Sequence, residues 1–488
     1  MKSPAWCLTS HPRTRASFPG KWCTSAAGAM AELRTEQDAN MSSPPSLAHT
    51  LSHWAMDLRF DQAPSEVQRA LRCCLLYNLS MALAVDQAAD ALGQTLSSIA
   101  GADGPARLFA ARGRRSAADA AFINAGLITA RGQNDTHPEV VTHIGCIVIP
   151  AVLALAEMVE APGQRVLDAL LVGYESIPRI AQNLAARSTQ RGFRASSLYG
   201  SLGAALACSV VLGLSAQQAR NALSIATNLA SGLLQTWTDG SQEWRLQIAK
   251  TSRDSVHAAL LAREGLSGAP FCLEGSSGFG AAYAATTPTL DFTGWKTPQM
   301  VFKPYPGCAF NQAPVQALRD LLATQALDAA DVDHIDVYLH PSDAQYPGVA
   351  RHGPFASPSG AIMSAPFMLA AALIHGLPRT AHFEQQHRLP ALHQLAQRIR
   401  VQPSASIAPW TCDLALTTIA GRVHKQSFAP EHPFQLDWEQ TLVLAAQVAQ
   451  EWPGPQAMDR FKRLVASLAR IETQGLDLAL LGQVVYTQ

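Results

Sequence analysis

The chain has 488 residues, of which 48% are hydrophobic and 15% are charged. This length exceeds a single ordinary core, so two or three domains are expected, and the composition excludes a disordered protein. Lys plus Arg and Asp plus Glu both number 37, which gives a formal net charge of zero. Neither nucleic acid nor an anionic membrane surface is therefore an expected partner, and a near-neutral surface is compatible with a homo-oligomer.

The nine cysteines are scattered and include no CxxC pair. That pattern argues against a zinc ribbon or a redox dithiol and favours a reducing compartment, so a cytoplasmic location is expected. The longest apolar run, residues 145–159, contains Glu157 and is shorter than the ~20 residues of a membrane-spanning helix. No membrane association is predicted.

Residues 1–45 differ in composition from the rest of the chain. They carry four basic residues before the first acidic one, with many Ser, Thr and Pro. A transit peptide has this composition. The interpretation we favour is a disordered tail or an over-long start, because Met30 and Met41 both precede the first predicted helix.

A helical pattern begins at Leu47 and continues to about residue 298. Proline is tolerated in a first helical turn, so Pro150 is predicted to begin a helix. Ser215 and Gln218 are spaced as a capping box. Further helices are predicted over residues 65–83, 166–177, 200–214 and 255–264.

The pattern changes near Trp295. Strands are predicted at residues 335–339, 399–401 and 414–419, and helices at 313–322 and 363–377. Residues 299–432 are therefore predicted to form an α+β domain. The helical pattern returns at Trp438, so residues 433–488 are expected to pack on 46–298. The predicted fold is mainly α, with one large helical domain from both ends of the chain and a smaller α+β domain.

Common catalytic motifs are missing from the sequence. It has no Gly-x-Ser-x-Gly in a strand–helix context, no phosphate-binding P-loop and no HExxH. The glycine-rich residues 275–280 do not lie between a clear strand and helix, so a turn is predicted there. His137 and His143 lack acidic or sulfur neighbours at ligand spacing, and no metal is expected.

Polar residues concentrate in three loop segments, at 131–145, 191–200 and 303–308. Each segment joins Gly or Pro to ionisable side chains. The short motifs around them follow a fixed order between about residues 46 and 480. They are Asp135-Thr136-His137 with His143 further on, Gly173-Tyr174-Glu175, Gly192-Phe193, Leu273-Glu274-Gly275 and Lys303-x-Tyr305-Pro306-x-Cys308.

Together these motifs resemble those of the MmgE/PrpD family, which includes 2-methylcitrate dehydratase, cis-aconitate decarboxylase and iminodisuccinate epimerase. The resemblance implies a helical domain built from both chain ends, an α+β lid and a homodimer. It also implies an active site between the domains and no organic cofactor. The small carboxylic acids on which these enzymes act are the expected substrate class.

The resemblance also implies roles for single residues. His143 matches the active-site histidine, Thr136 the threonine of an Asp-Asp-Thr segment, Lys303 the lid lysine and Tyr346 a substrate-facing lid tyrosine. The predicted catalytic residues are His143, Lys303 and Tyr346. The predicted substrate-binding residues are Asp135, Thr136, Arg194, Arg245 and Cys308.

Besides Ile144, which stands where the family usually has Pro, four positions depart from the family pattern. Gly132 stands where the family has the first Asp of Asp-x-Asp-Asp-Thr, and Arg194 where a His follows Gly-Phe. Trp244 replaces a Lys, and Cys308 replaces a His found in some decarboxylases. Exchanging a titratable His for Arg removes a proton shuttle and adds a fixed charge, which predicts a changed reaction or substrate.

Each candidate has a chemical and a structural interpretation. His143 can act as base or acid near neutral pH, or cap a helix. Arg194 can bind a carboxylate, or pair with an acid across the cleft. Arg245 can bind a carboxylate, or it can stack on Trp244 or form a surface ion pair. Tyr346 can donate a hydrogen bond to an enolate. Cys308 has a purely structural alternative.

Three functional hypotheses follow. The first is a dehydratase-type lyase on a citrate-like acid. The second is an epimerase or isomerase that moves a proton at an α-carbon, with decarboxylation as a further alternative. The third is a carboxylate-binding protein without catalysis. Arg194 and Trp244 favour the second and third over the first.

Overall fold

The computed structural model describes residues 44–86, 90–101, 103–109 and 113–486. The prediction for residues 1–45 therefore lies almost wholly outside the described residues. The described chain is mainly helical with a small four-stranded sheet, which confirms the predicted fold class. In these ranges no helix is long and apolar enough to cross a membrane. The seven cysteines that they contain are buried free thiols.

The first part of the chain is helical. Its helices are α1 (Leu47–Asp57), α2 (Ser65–Leu83), α3 (Ala91–Ile99), α4 (Ala117–Ile128), α5 (Gly145–Met158), α6 (Gly163–Ala181), α7 (Ala185–Gln190), α8 (Ala195–Val211), α9 (Ala216–Leu229), α10 (Gln235–Asp239) and α11 (Glu243–Arg263). Strands β1 (Ala106–Arg107) and β2 (Arg114–Arg115) pair antiparallel. Small residues allow α6 and α8 to approach closely, since a Cβ at Gly203 would lie 2.3 Å from Ile177.

The second part mixes helices and strands, and helices alone complete the chain. Its elements are α12 (Gln312–Thr324), β3 (Val332–Leu339), α13 (Pro341–Ala344), α14 (Pro358–Met363), α15 (Ala365–His375), α16 (Thr380–Glu384), α17 (Pro390–Ala396), β4 (Ile399–Pro403), β5 (Cys412–Thr418) and β6 (Val423–Phe428). The last helices are α18 (Trp438–Ala449), α19 (Ala457–Leu468), α20 (Ile471–Gln474) and α21 (Leu478–Val485).

The sheet has the strand order β4-β3-β5-β6. Strand β3 runs parallel to β4 and antiparallel to β5, so that Val337 lies opposite both Val401 and Leu414. Helix α12 packs against β5 and β6. The buried residues of β5 alternate with exposed or half-buried ones, as expected for a sheet with one covered face.

Buried apolar side chains form two large clusters. The first combines α1–α9 and most of α11 with the C-terminal helices, so that Leu71 and Leu464 belong to one core. The second contains the sheet, α12 and α15, together with Trp237 and Trp244 from α10 and α11. This distribution supports the domain division that we propose, with 46–298 and 433–488 in one domain and 299–432 in the other.

Several predicted element boundaries need correction. Helix α5 begins at Gly145, and Pro150 lies inside it. The prediction was wrong because Asp135, ten residues before Gly145, accepts a hydrogen bond from the Gly145 N–H and so serves the helix N-terminus from outside. The helix predicted over 363–377 is divided at Ser364, which caps α15 through the Phe367 N–H.

Other local predictions are confirmed or extended. The Ser215–Gln218 capping box is present at the start of α9. The turn predicted over residues 275–280 is confirmed for 275–278, whereas residues 279 and 280 are helical. The helix predicted from residue 255 begins at Glu243. Strand β6 was missed, because it alternates between exposed and half-buried residues at the edge of the sheet and has no buried apolar run.

Candidate active site

A small cavity brings the three predicted loop segments together. Its lining residues are Gly132, Asn134, Val141, His143, Arg194, Ser196, Trp237, Trp244, Lys303, Gly307, Cys308, Ala309, Phe310, Tyr346, Ile362 and Met363. The cavity volume is about 40 Å³. A single water needs about 10–15 Å³ of such space, so this conformation holds a few waters and must open to admit a larger molecule.

The predicted site residues divide into two groups. Five of them line the cavity: His143, Lys303, Tyr346, Arg194 and Cys308. The other three, Asp135, Thr136 and Arg245, do not. Their roles as catalytic or substrate-binding residues remain predictions in every case, and their contacts show what each is placed to do.

His143 lies on the loop before α5, and its backbone N–H donates to the Ser196 hydroxyl at 3.0 Å. Its Nδ1 lies 2.9 Å from the Thr136 hydroxyl and 3.3 Å from the Asp135 carbonyl oxygen. A carbonyl only accepts, so the tautomer that satisfies it carries the proton on Nδ1 and leaves Nε2 basic. Burial lowers the pKa of His143 well below its ordinary 6.5, and the charges of Lys303 and Arg194 lower it further. The ring is neutral at physiological pH.

The Asp135 carboxylate faces away from the cavity, into the helical core. One oxygen accepts from the Gly145 N–H at 3.0 Å and the other from the Tyr174 hydroxyl at 2.6 Å. Complete burial raises the pKa of Asp135 above its ordinary value, while these hydrogen bonds oppose the rise. Asp135 therefore holds the loop that carries His143 against α5 and α6.

Lys303 is 2% exposed and lies on the loop before α12. Its ammonium donates to the carbonyl oxygens of Gly132 and Gly307, the latter at 3.1 Å. An ammonium has three donors, so one remains for a ligand. Burial lowers the pKa of Lys303 from 10.5 to about 8. Lys303 consequently keeps its proton at neutral pH but is close to releasing it.

Arg194 precedes α8 and is 3% exposed. One terminal nitrogen donates to the Trp244 carbonyl and, at 3.3 Å, to the Gln247 side chain. Its guanidinium also lies over the Trp237 ring, 5.3 Å from the centroid. Among the described residues it forms no salt bridge with a carboxylate, so the cation is buried without an anionic partner.

Tyr346 and Cys308 complete the polar lining. The Tyr346 ring lies 5.0 Å from that of Phe310, and burial raises the pKa of its phenol above the ordinary 10. Burial also raises the pKa of the Cys308 thiol to about 11. Both groups are protonated at neutral pH, so each can donate a hydrogen bond, and the thiol is not a ready nucleophile.

Arg245 lies in a second, larger cavity of about 450 Å³. Its two terminal nitrogens donate to the two oxygens of Asp90, both at 2.7 Å, and one of them also reaches the Gly126 carbonyl. This pairing is the structural alternative for Arg245, although the partner is Asp90 and not Trp244. Trp244 and Ile362 line both cavities and so separate them.

Sequence reasoning overlooked several lining residues. Ser196 belongs to the second polar segment, and its position two residues after Arg194 was the available signal. Trp237, Phe310 and Ile362 are apolar residues on separate elements, and no local pattern indicates that they meet. Across the described ranges no group of three His, Cys, Asp or Glu side chains is placed to hold a metal ion.

Comparison with known proteins supplies the family. The MmgE/PrpD N-terminal domain matches residues 49–290, and the MmgE/PrpD C-terminal domain matches 305–432. Cis-aconitate decarboxylase of Aspergillus terreus is 26% identical over 396 residues, 75% of this chain and 80% of that protein. Cis-aconitate decarboxylase of Mus musculus is 30% identical over 61% of this chain and 64% of its own. The human cis-aconitate decarboxylase is 36% identical over 35% of this chain and 36% of its own. The chain belongs to the MmgE/PrpD family.

Proposed function

We propose that the chain is a cofactor-independent lyase that acts on a small di- or tricarboxylic acid by proton transfer at a carbon next to a carboxylate. One observation carries this proposal. Arg194 and Lys303 are both buried in one cavity, and neither has a carboxylate partner among the described residues. The neutral ring of His143 lines the same cavity.

The two cations account for the choice of an acidic substrate. Burying a charge without a partner is costly, and the carboxylates of a bound substrate would provide the missing partners. The guanidinium of Arg194 has two nitrogens beyond the one that bonds to Trp244 and Gln247, so it can bind a carboxylate with two N–H groups. Lys303 has one donor left for a second carboxylate.

The protonation states account for the proton transfer. His143 is neutral because burial and the charges of Lys303 and Arg194 lower its pKa. Lys303 is protonated at neutral pH because its pKa, although lowered by burial, is still about 8. These protonation states suit a base and an acid. In a dehydration, His143 removes the proton from the carbon next to the carboxylate. The C–O bond breaks as Lys303 or Tyr346 protonates the leaving hydroxyl, which yields water and a carbon–carbon double bond.

Decarboxylation is the second candidate, and it is favoured by the three relatives, each of which is a cis-aconitate decarboxylase. In that reaction an acid such as Lys303 delivers a proton to an alkene carbon while the bond to a carboxylate breaks and releases CO₂. The leaving carboxylate would lie against the aromatic residues Trp237 and Trp244, which line the cavity. Low polarity there would favour loss of the charge.

The test is incubation of the purified protein with 2-methylcitrate, cis-aconitate and iminodisuccinate in deuterated water, followed by NMR. Elimination of water supports the dehydratase, and release of CO₂ supports the decarboxylase. Deuterium exchange or inversion without elimination would replace the lyase proposal with an isomerase. Ligand binding without turnover of any of the three would identify a non-catalytic homologue.

A further inference from the structure

The number of positive charges that line the cavity limits the number of substrate carboxylates that it can neutralise. Of the residues that line it, only Arg194 and Lys303 carry a positive charge, because the pKa of His143 is lowered too far for its ring to be protonated. The neutral donors Ser196, Asn134 and Tyr346 can assist but cannot neutralise an anion. The cavity therefore offers charge compensation for two carboxylates.

An apolar wall takes up much of the remaining lining. The rings of Trp237 and Trp244 lie 5.1 Å apart, and the Trp244 indole N–H donates to the Ser359 hydroxyl at 3.1 Å. Ile362 and Met363 extend this wall. The hydrogen bond to Ser359 holds the indole in place, so Trp244 presents a fixed apolar surface.

We infer that the substrate is a dicarboxylate with an apolar substituent, and that Trp244 is the residue that selects this substituent over a third carboxylate. Once Arg194 and Lys303 are each paired with a carboxylate, a third carboxylate on this wall would be desolvated without a cation of its own, whereas an alkyl group gains from burial there. This inference deepens the proposed function and rests on carboxylate binding in the same cavity.

The position of Trp244 adds a second consequence. Trp244 and Ile362 separate the candidate site from the neighbouring cavity of about 450 Å³. An alkyl substituent that is longer than the space in front of Trp244 would collide with this partition. The two residues consequently set an upper limit on substituent length.

The direct experiment measures binding by isothermal titration calorimetry with maleates that carry methyl, propyl or hexyl substituents, and with cis-aconitate. Cis-aconitate differs from methylmaleate by one further carboxylate, and burial of that charge without a cation is costly. We expect methylmaleate to bind at least about tenfold more tightly than cis-aconitate, and hexylmaleate to bind weakly. Cis-aconitate binding as tightly as methylmaleate would overturn the inference. Because binding is measured, the inference is tested even if no acid is turned over and the proposed function fails.

Variants of the partition sharpen this test. Trp244→Lys should reverse the preference by adding a cation for a third carboxylate, and Trp244→Ala should admit hexylmaleate by joining the cavities. Trp295→Lys makes the same charge change at a half-buried site outside both cavities and should keep the wild-type preference. Ile362→Ala is the milder partition variant if the Trp244 variants unfold, which thermal unfolding would reveal. An unchanged length limit in Ile362→Ala would contradict the role of the partition.

Discussion

Two buried arginines of this protein have opposite surroundings. Arg179 on α6 is 1% exposed and pairs with Glu175 at 2.5 Å. Glu175 in turn accepts from the backbone N–H groups of Lys296 and Thr297, the latter at 2.7 Å. Arg194 is 3% exposed and has backbone and amide acceptors but no carboxylate among the described residues.

The difference between the two arginines shows how a buried cation with a carboxylate partner differs in role from one without. The Glu175–Arg179 pair is complete within the chain and ties α6 to the segment before α12, so its contribution is to stability. Arg194 and Lys303 are left with charge that the chain does not neutralise. A cation buried in this way lowers the stability of the unliganded protein and raises its affinity for an anion. This arrangement is expected at a ligand site.

The largest expected effect concerns catalysis in the cavity that contains the unpaired cations Arg194 and Lys303. His143→Gln removes the base and should lower kcat by about 10²–10⁴-fold. The same change should alter the unfolding temperature little, because Gln can still donate to the Asp135 carbonyl. Steady-state kinetics with the substrate that turns over, together with calorimetry, would measure both. Full activity in this variant would remove His143 from the mechanism.

The two arginines themselves provide the next test. Arg179→Gln leaves the Glu175 carboxylate buried without its cation, and should lower the free energy of unfolding by about 3–5 kcal/mol. Arg194→Gln leaves no buried carboxylate without its cation, because the acceptors of Arg194 are the neutral Trp244 carbonyl and Gln247 side chain. We therefore expect it to change stability little and to weaken substrate binding. Denaturant unfolding and titration calorimetry on both variants give the comparison. Equal losses of stability would mean that Arg194 is as structural as Arg179.

A smaller effect is expected where a hydrogen bond supports the loop of the site. Tyr174→Phe removes the hydroxyl that donates to Asp135 at 2.6 Å and should cost about 1–3 kcal/mol of stability. Tyr199→Phe is the matched control, because among the described residues its hydroxyl hydrogen-bonds only to the neutral Ser188 hydroxyl, at 2.8 Å. Denaturant unfolding should show the larger loss for Tyr174→Phe. A larger loss for the control would argue against a charged Asp135.

The effect that is smallest at neutral pH is a pH dependence from Lys303, whose pKa is lowered from 10.5 to about 8. Above pH 8 the folded protein loses this proton, so ligand affinity should fall by up to about tenfold per pH unit. Between pH 8 and 10.5 the unfolded chain still holds the proton, so in this window Lys303 makes the unliganded protein more stable as pH rises. The difference between wild type and Lys303→Met isolates both trends. A wild-type affinity that is constant to pH 10 would contradict the lowered pKa.

The sequence identified the polar loops but not the residues that their side chains contact. The motif around Asp135 and His143 was identified as one unit, yet the two side chains point to different surroundings, the core and the cavity. Arg245 was predicted to bind substrate because an arginine can bind a carboxylate with two N–H groups. Its partner Asp90 lies 155 residues away in the chain, which no local pattern could indicate.

The sequence by itself determined the features that depend on neighbouring residues. The spacing of hydrophobic residues predicted most helices. The spacing of Ser215 and Gln218 predicted a cap that forms within one helical turn. The order of short motifs indicated the family. Only the tertiary structure decided which buried charges are neutralised, that Trp244 separates two cavities, and that Asp135 serves the N-terminus of α5. The physical reason is that charge pairing and cavity walls arise between elements distant in the chain, whereas helical period and capping are local.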